Sequence, residues 1–130
     1  MNEVPKLATG VHTGIVLFAH GSRDARWREP VEAVARRVTE LSPDAPVSCA
    51  YLELMLPDLP TAAAALVAQG VQTVRIVPLF LGIGKHVRED LPGLIDGLRT
   101  AHPDVTFFLQ TAVGEDARVI ELLAQIALKG

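Results

Sequence analysis

Four short apolar runs, at residues 14–19, 47–52, 74–81 and 105–109, alternate with segments whose apolar residues recur at helical spacing. The first, Gly14-Ile15-Val16-Leu17-Phe18-Ala19, has no polar position on either face, as expected of a strand covered on both sides. Val31, Val34, Val38 and Leu41 then follow three or four residues apart until Ser42-Pro43-Asp44 stops that helix. After the second run, Leu59, Ala62, Ala63, Leu66 and Val67 fall on one helical face. That helix closes at Gly70, a residue suited to a left-handed exit. The third run continues into the glycine loop Gly82-Ile83-Gly84. Leu91, Leu94, Ile95 and Leu98 mark the third helix, and Val119, Leu122, Leu123 and Ile126 the last. Such alternation leaves few folds, because each parallel strand must be reached by a right-handed crossover lying over the sheet. The expectation is a small doubly wound α/β domain, a four-stranded parallel sheet with helices on both faces. It occupies residues 14–130. Residues 1–13 are polar, contain Pro5 and show no period, and are read as a loose N-terminal leader.

The polar residues that follow the strands carry the chemistry. His20, Glu53 and His86 stand 33 positions apart, each just beyond one of the first three apolar runs. A strand-plus-helix unit takes roughly 30 residues, so all three are expected on one rim of the sheet. In open parallel sheets that rim binds ligands. Imidazole, carboxylate, imidazole is a donor set suited to cobalt, nickel, iron or zinc as divalent ions. Each residue has a plainer reading on its own. His20 opens His20-Gly21-Ser22, where Gly21 makes a tight turn and Ser22 caps a helix starting near Asp24. Glu53 lies within Tyr51-Leu52-Glu53-Leu54-Met55-Leu56, where an ionised carboxylate withdrawn from water needs a partner, which a helix terminus could also supply. His86, taken singly, reads as a surface histidine, and His12 and His102 are read as structural. Convergence of three metal-competent groups at three strand ends favours the functional reading.

Other chemistries fit less well. A mutase-type motif needs Arg before His-Gly, where this chain has Ala19; a nucleophile elbow needs a second glycine two residues after Ser22, where Asp24 stands. Gly84-Lys85 lacks the Ser or Thr that completes a phosphate loop, His86 being next. Hydrophobic residues make up 49% of the chain and charged ones 21%, the balance of a globular protein, and a net charge of −3 argues against a nucleic-acid partner. Cys49 is the lone cysteine and falls in a strand run, so no disulfide framework is expected and a reducing cytoplasm is the simplest location. With neither a signal peptide nor an apolar run of spanning length, no membrane partner is expected.

An ordered set of segments resembles the short, single-domain sirohydrochlorin cobaltochelatases, relatives of the sirohydrochlorin ferrochelatases. The segments are His20-Gly21-Ser22-Arg23-Asp24, Leu52-Glu53-Leu54-Met55, Pro78-Leu79-Phe80-Leu81-Gly82 and His86-Val87-Arg88-Glu89-Asp90-Leu91-Pro92, and the likeness runs from about Gly14 to Leu128. Lys85 replaces a glycine common in the family. The resemblance implies a lyase that inserts Co2+, alternatively Fe2+ or Ni2+, into sirohydrochlorin on routes to cobalamin, sirohaem or nickel cofactors, with the metal as substrate and no organic cofactor. It maps His20 and His86 onto metal-binding histidines and Glu53 onto the acidic residue of the site, as ligand or proton acceptor. Insertion displaces two pyrrole N–H protons, so such a site needs open metal positions and a base. The implied substrate is rich in carboxylates, for which Arg23, Lys85 and Arg88 are the candidate clamps. A broad, flat tetrapyrrole exceeds the rim of one small sheet, and larger relatives have two similar halves, so a homodimer is expected. Two competing readings remain from sequence: a metal or tetrapyrrole carrier without turnover, and a flavodoxin-like binder in which the three residues are structural.

Overall fold

The computed structural model describes residues 13–130. Its elements are β1 (Thr13–Ala19), α1 (Glu29–Leu41), β2 (Val47–Tyr51), α2 (Leu59–Ala68), β3 (Thr73–Pro78), α3 (Lys85–Ala101), β4 (Thr106–Leu109) and α4 (Ala117–Lys129), with 3-10 turns at Ala25–Arg28 and Val113–Glu115. The strands form one parallel sheet in the order β2-β1-β3-β4. The leader read at 1–13, with His12, lies outside the described residues except for Thr13, which opens β1.

Alternate side chains of each strand reach opposite faces of the sheet, and each face has its own core. On one face Leu17, Ala19, Tyr51 and Met55 pack with Val31 of α1. On the other, Val16, Phe18, Val74, Ile76 and Phe107 meet Leu59, Ala62 and Leu66 of α2 and Leu91, Ile95 and Leu98 of α3. Each large apolar side chain so enclosed contributes about 1.5–3 kcal/mol relative to exposure. Arg99 ties α3 to the sheet by donating to the Phe107 carbonyl at 3.1 Å. Helices therefore flank both faces, as the alternation of runs requires.

Three details differ from the sequence expectation. The third strand ends at Pro78, not at residue 81, because the chain beyond it turns away after the Leu79 N–H donates to the Phe18 carbonyl at 2.8 Å. Helix α3 begins at Lys85, well before Leu91. Val87 packs on the same core one turn ahead of Leu91, and the helix accommodates Pro92 internally. The last helix forms where expected, yet none of its residues is buried. Among the described residues no helix is long and apolar enough to cross a membrane.

The strand order fixes where a ligand can sit. The chain leaves β1 for β2 on one side and returns past β1 to reach β3 on the other. The segments after β1 and β3 therefore diverge toward opposite faces and open a crevice between the two strand ends. His20 and His86 follow those strands.

Candidate functional site

Backbone pairing continues past the ends of β1 and β2 and sets the first half of the site. The Leu52 N–H donates to the Ala19 carbonyl at 2.9 Å and the Glu53 N–H to the His20 carbonyl at 3.1 Å. This extension puts His20 beside Glu53, and the His20 Nε2 lies 3.1 Å from Glu53 Oε2. Both side chains are about half exposed, at 50% and 55%, so the pair is open to an incoming ligand. Gly21 makes the approach possible. Its φ is +105°, and a Cβ there would meet the Glu53 carbonyl oxygen at 1.9 Å, so only glycine fits. The neighbouring turn is closed locally: Ser22 Oγ accepts from the Asp24 N–H, and Asp24 caps the Ala25–Arg28 turn by accepting from the Arg26 N–H.

The second half of the site comes from the β3–α3 loop. His20 and His86 line one pocket of about 270 Å³, with Phe80, Ile83, Gly84 and Lys85 among its other walls. Phe80 is buried and stacks edge-on against the His20 ring at 6.4 Å between centroids, which fixes the ring's plane. The loop is braced from behind by Gly114. Its N–H donates to the Phe80 carbonyl at 2.9 Å, and a Cβ on it would overlap the Leu81 backbone. His86 sits in the first turn of α3, whose N-cap Gly84 supplies no side-chain acceptor. The N–H groups of that turn face the rim, an end of the helix that favours anions.

The structure thus pairs His20 with Glu53 and places His20 and His86 in one pocket. Among the described residues, no three His, Cys, Asp or Glu side chains stand close enough together to hold a single ion. Arg23, Lys85 and Arg88 are exposed and form no side-chain hydrogen bond or ion pair with the described residues, which leaves their cationic groups available to a ligand. Arg88 lines a neighbouring pocket with Ile83, Pro92 and Gln110. Arg28 is committed elsewhere, donating to the Leu56 carbonyl and lying over the Tyr51 ring. Of the two other histidines, His102 caps the end of α3 against Phe107, a structural position. Sequence reasoning passed over Phe80 and Gly114. Phe80 could have been found within the apolar run that precedes His86, whereas Gly114 gives no signal until the Phe80–Leu81 backbone is seen beside it.

The CbiX family model matches residues 14–128 of the chain. A sirohydrochlorin cobaltochelatase of Sulfolobus acidocaldarius is 28% identical over 116 residues, spanning 89% of this chain and 90% of that protein. The sirohydrochlorin cobaltochelatase of Methanothermobacter thermautotrophicus is 31% identical over 104 residues, 78% of this chain and 68% of the relative. Among solved structures, a CbiX protein from Marinobacter aquaeolei VT8, assigned to cobalamin (vitamin B12) biosynthesis, has a TM-score of 0.79 at 36% identity, over 90% of this chain and 95% of that one. The sirohydrochlorin chelatase SirB from Bacillus subtilis subspecies spizizenii, solved in complex with cobalt, has a TM-score of 0.75 at 26% identity and matches 89% of this chain with 50% of its own.

Proposed function

The chain belongs to the CbiX family, and from that membership we propose that it inserts a divalent metal into sirohydrochlorin, cobalt first and iron or nickel as alternatives. The observation that carries the reading is the His20–Glu53 pair opening onto the pocket that His86 shares, at the crevice between β1 and β3. Cobalt is favoured by relatives named cobaltochelatases and by the cobalt complex of SirB; a relative named sirohydrochlorin ferrochelatase keeps iron in view.

In the proposed reaction the metal is a substrate. His20 and His86 offer imidazole nitrogens to it, and Glu53 is an anionic ligand or the acceptor for protons leaving the macrocycle. Two pyrrole N–H protons are exchanged for one divalent ion, so charge balances when a base carries those protons to water. Glu53 is suited to that role because it is half exposed and already shares a hydrogen bond with His20, which gives a proton a short route off the ring. Two or three protein donors leave positions open for pyrrole nitrogens, as transfer requires. Arg23, Lys85 and Arg88 are the proposed clamps for substrate carboxylates, and the N-terminal turn of α3 adds to the same field. A homodimer in the cytoplasm, feeding cobalamin or sirohaem formation, completes the reading. One open rim cannot cover the 70–90% of a ligand that binding sites usually bury.

The test is to supply purified protein with sirohydrochlorin and cobalt, iron or nickel separately, and to follow the absorption change of the macrocycle against a control without protein. Many turnovers per chain with at least one metal are expected. Stoichiometric metal binding without spectral conversion would replace the enzyme with a carrier.

A further inference from the structure

Leu54 stands where neither packing nor backbone preference asks for a leucine. Its φ is +69°, in the left-handed region that glycine or asparagine adopts at least cost, and the residue is 56% exposed. The loop around it is anchored on both sides, so the conformation is imposed. Leu52 packs on the core of one sheet face and Met55 is buried in that of the other, which leaves Glu53 and Leu54 over the end of β2. The Tyr51 N–H donates to the Pro57 carbonyl at 3.0 Å, and Arg28 donates to the Leu56 carbonyl at 3.3 Å, closing the loop at its base. The left-handed turn at Leu54 therefore separates Glu53, still paired through its N–H with the His20 carbonyl, from the buried Met55.

A second leucine occupies the matching place in the β3–α3 loop, where Leu81 is 70% exposed with its backbone seated against Gly114. His20 lies between Glu53, its hydrogen-bond partner, and Phe80, its ring contact, and the two leucines are the residues that follow these. The half-exposed polar pair is thus flanked by an exposed leucine on each side, both on tethered backbone. Apolar side chains held in water around a metal-competent centre suit a ligand that is flat, apolar on its faces and polar in its middle. A tetrapyrrole has that chemistry: hydrocarbon ring faces, inward nitrogens and, in the proposed substrate, an acidic periphery that Arg23, Lys85 and Arg88 complement. We propose that Leu54 and Leu81 seat one face of the macrocycle over the His20–Glu53 pair, and that this contact is what the left-handed leucine serves. Strain of this kind persists where function uses it. The contact is the same in bound substrate and in the transition state, so it sets affinity for the macrocycle and leaves the chemical step nearly unchanged.

This inference rests on the proposed function and adds the residues that determine affinity for the macrocycle. The test titrates metal-free sirohydrochlorin into wild-type and variant protein and compares Kd with KM, kcat and melting temperature. Leu54→Asn keeps a residue tolerant of the left-handed turn and removes the apolar surface; it is expected to raise Kd and KM about tenfold, in keeping with part of a leucine's burial, while kcat stays within about twofold and the melting temperature does not fall. Leu54→Met keeps the apolar contact and should bind nearly as wild type does. Leu81→Ser should act in the same direction as Leu54→Asn. Leu41→Asn, which removes an equally exposed leucine at the far end of α1, should leave all four quantities unchanged. A Leu54→Asn chain that binds the macrocycle like wild type overturns the proposal. So does one whose kcat falls while Kd holds, since Leu54 would then act by placing Glu53, and so does a fall in melting temperature shared by Leu54→Asn and Leu54→Met. A wild-type chain that binds sirohydrochlorin without inserting metal refutes the chelatase reading, and the Kd comparison still decides the leucines; a wild-type chain that does not bind it overturns both.

Discussion

His20 is held from two directions, by the Glu53 carboxylate at 3.1 Å and by the edge contact with Phe80, a core residue, while the His20 side chain itself is half exposed and outside that core. Removing it should therefore change chemistry and leave the fold. His20→Ala and His86→Ala are each expected to abolish catalysed insertion with circular dichroism and melting close to wild type. Glu53→Gln should lower turnover by about 10²–10⁴, the range for loss of a general base, with substrate binding less affected. A histidine variant that turns over normally removes that residue from the proposed ligand set. Gly21 makes a contrasting case, since it bears no chemistry but lets two reacting groups approach. Gly21→Ala puts a methyl 1.9 Å from the Glu53 carbonyl oxygen on a φ of +105°. The β1–α1 turn must then move, and with it the His20–Glu53 pair. The expected outcome is a loss of insertion nearly as large as for His20→Ala, together with a lowered melting temperature that His20→Ala does not share.

At the scale of single elements, what the sequence made legible and what it hid can be told apart physically. Apolar runs located all four strands to within a few residues; β1, covered on both faces, has no charged position, whereas β3 and β4 keep the exposed Arg75 and Thr106. The run ending at residue 81 overshot β3, since Leu79, Phe80 and Leu81 are apolar for a different reason: Phe80 packs into the core from a loop against His20. Leu91, Leu94, Ile95 and Leu98 marked helix α3, but its first turns were hidden by Pro92 and by the glycines before Lys85, which read as loop until Val87 is seen on the same core as Leu91. The rim positions of His20, Glu53 and His86 followed from spacing, whereas the direct pairing of His20 with Glu53 depends on ladder bonds beyond the strands, a register no pattern records. Helix α2 shows a capping signal that can be tested. Asp58 accepts from the Thr61 N–H at 2.9 Å, and the Thr61 hydroxyl and N–H hold its carboxyl below the usual carboxylate range. A depressed folded pKa means that the cap stabilises fully above the unfolded value, about 3.9, and that this contribution fades as pH falls through the folded value. Asp58→Ala should cost about 1 kcal/mol at pH 7. Melting both proteins from pH 7 downward should show the gap constant to about pH 5 and narrowing below about pH 4; a constant gap throughout would mean the carboxylate's charge plays no part in the cap.

For the molecule as a whole, the question is whether a site sits within one chain or is assembled across two. The pocket shared by His20 and His86 is built from residues of one chain, as is the His20–Glu53 pair. If that pocket works within its own chain, a second copy covers the bound macrocycle and completes no ligand set; if two rims meet in one cavity, it supplies ligands. This yields a complementation test. His20→Ala and His86→Ala chains, mixed and allowed to exchange subunits, form mixed dimers in which neither chain has both histidines. If each site draws its ligands from a single chain, these mixtures stay inactive. Wild type mixed with the doubly substituted chain should instead retain activity in proportion to its wild-type subunits. Recovery of turnover in the first mixture, toward about one quarter of the wild-type level because roughly half of the dimers are mixed and each keeps one of its two composite sites, would show that the two histidines act across the two-fold axis.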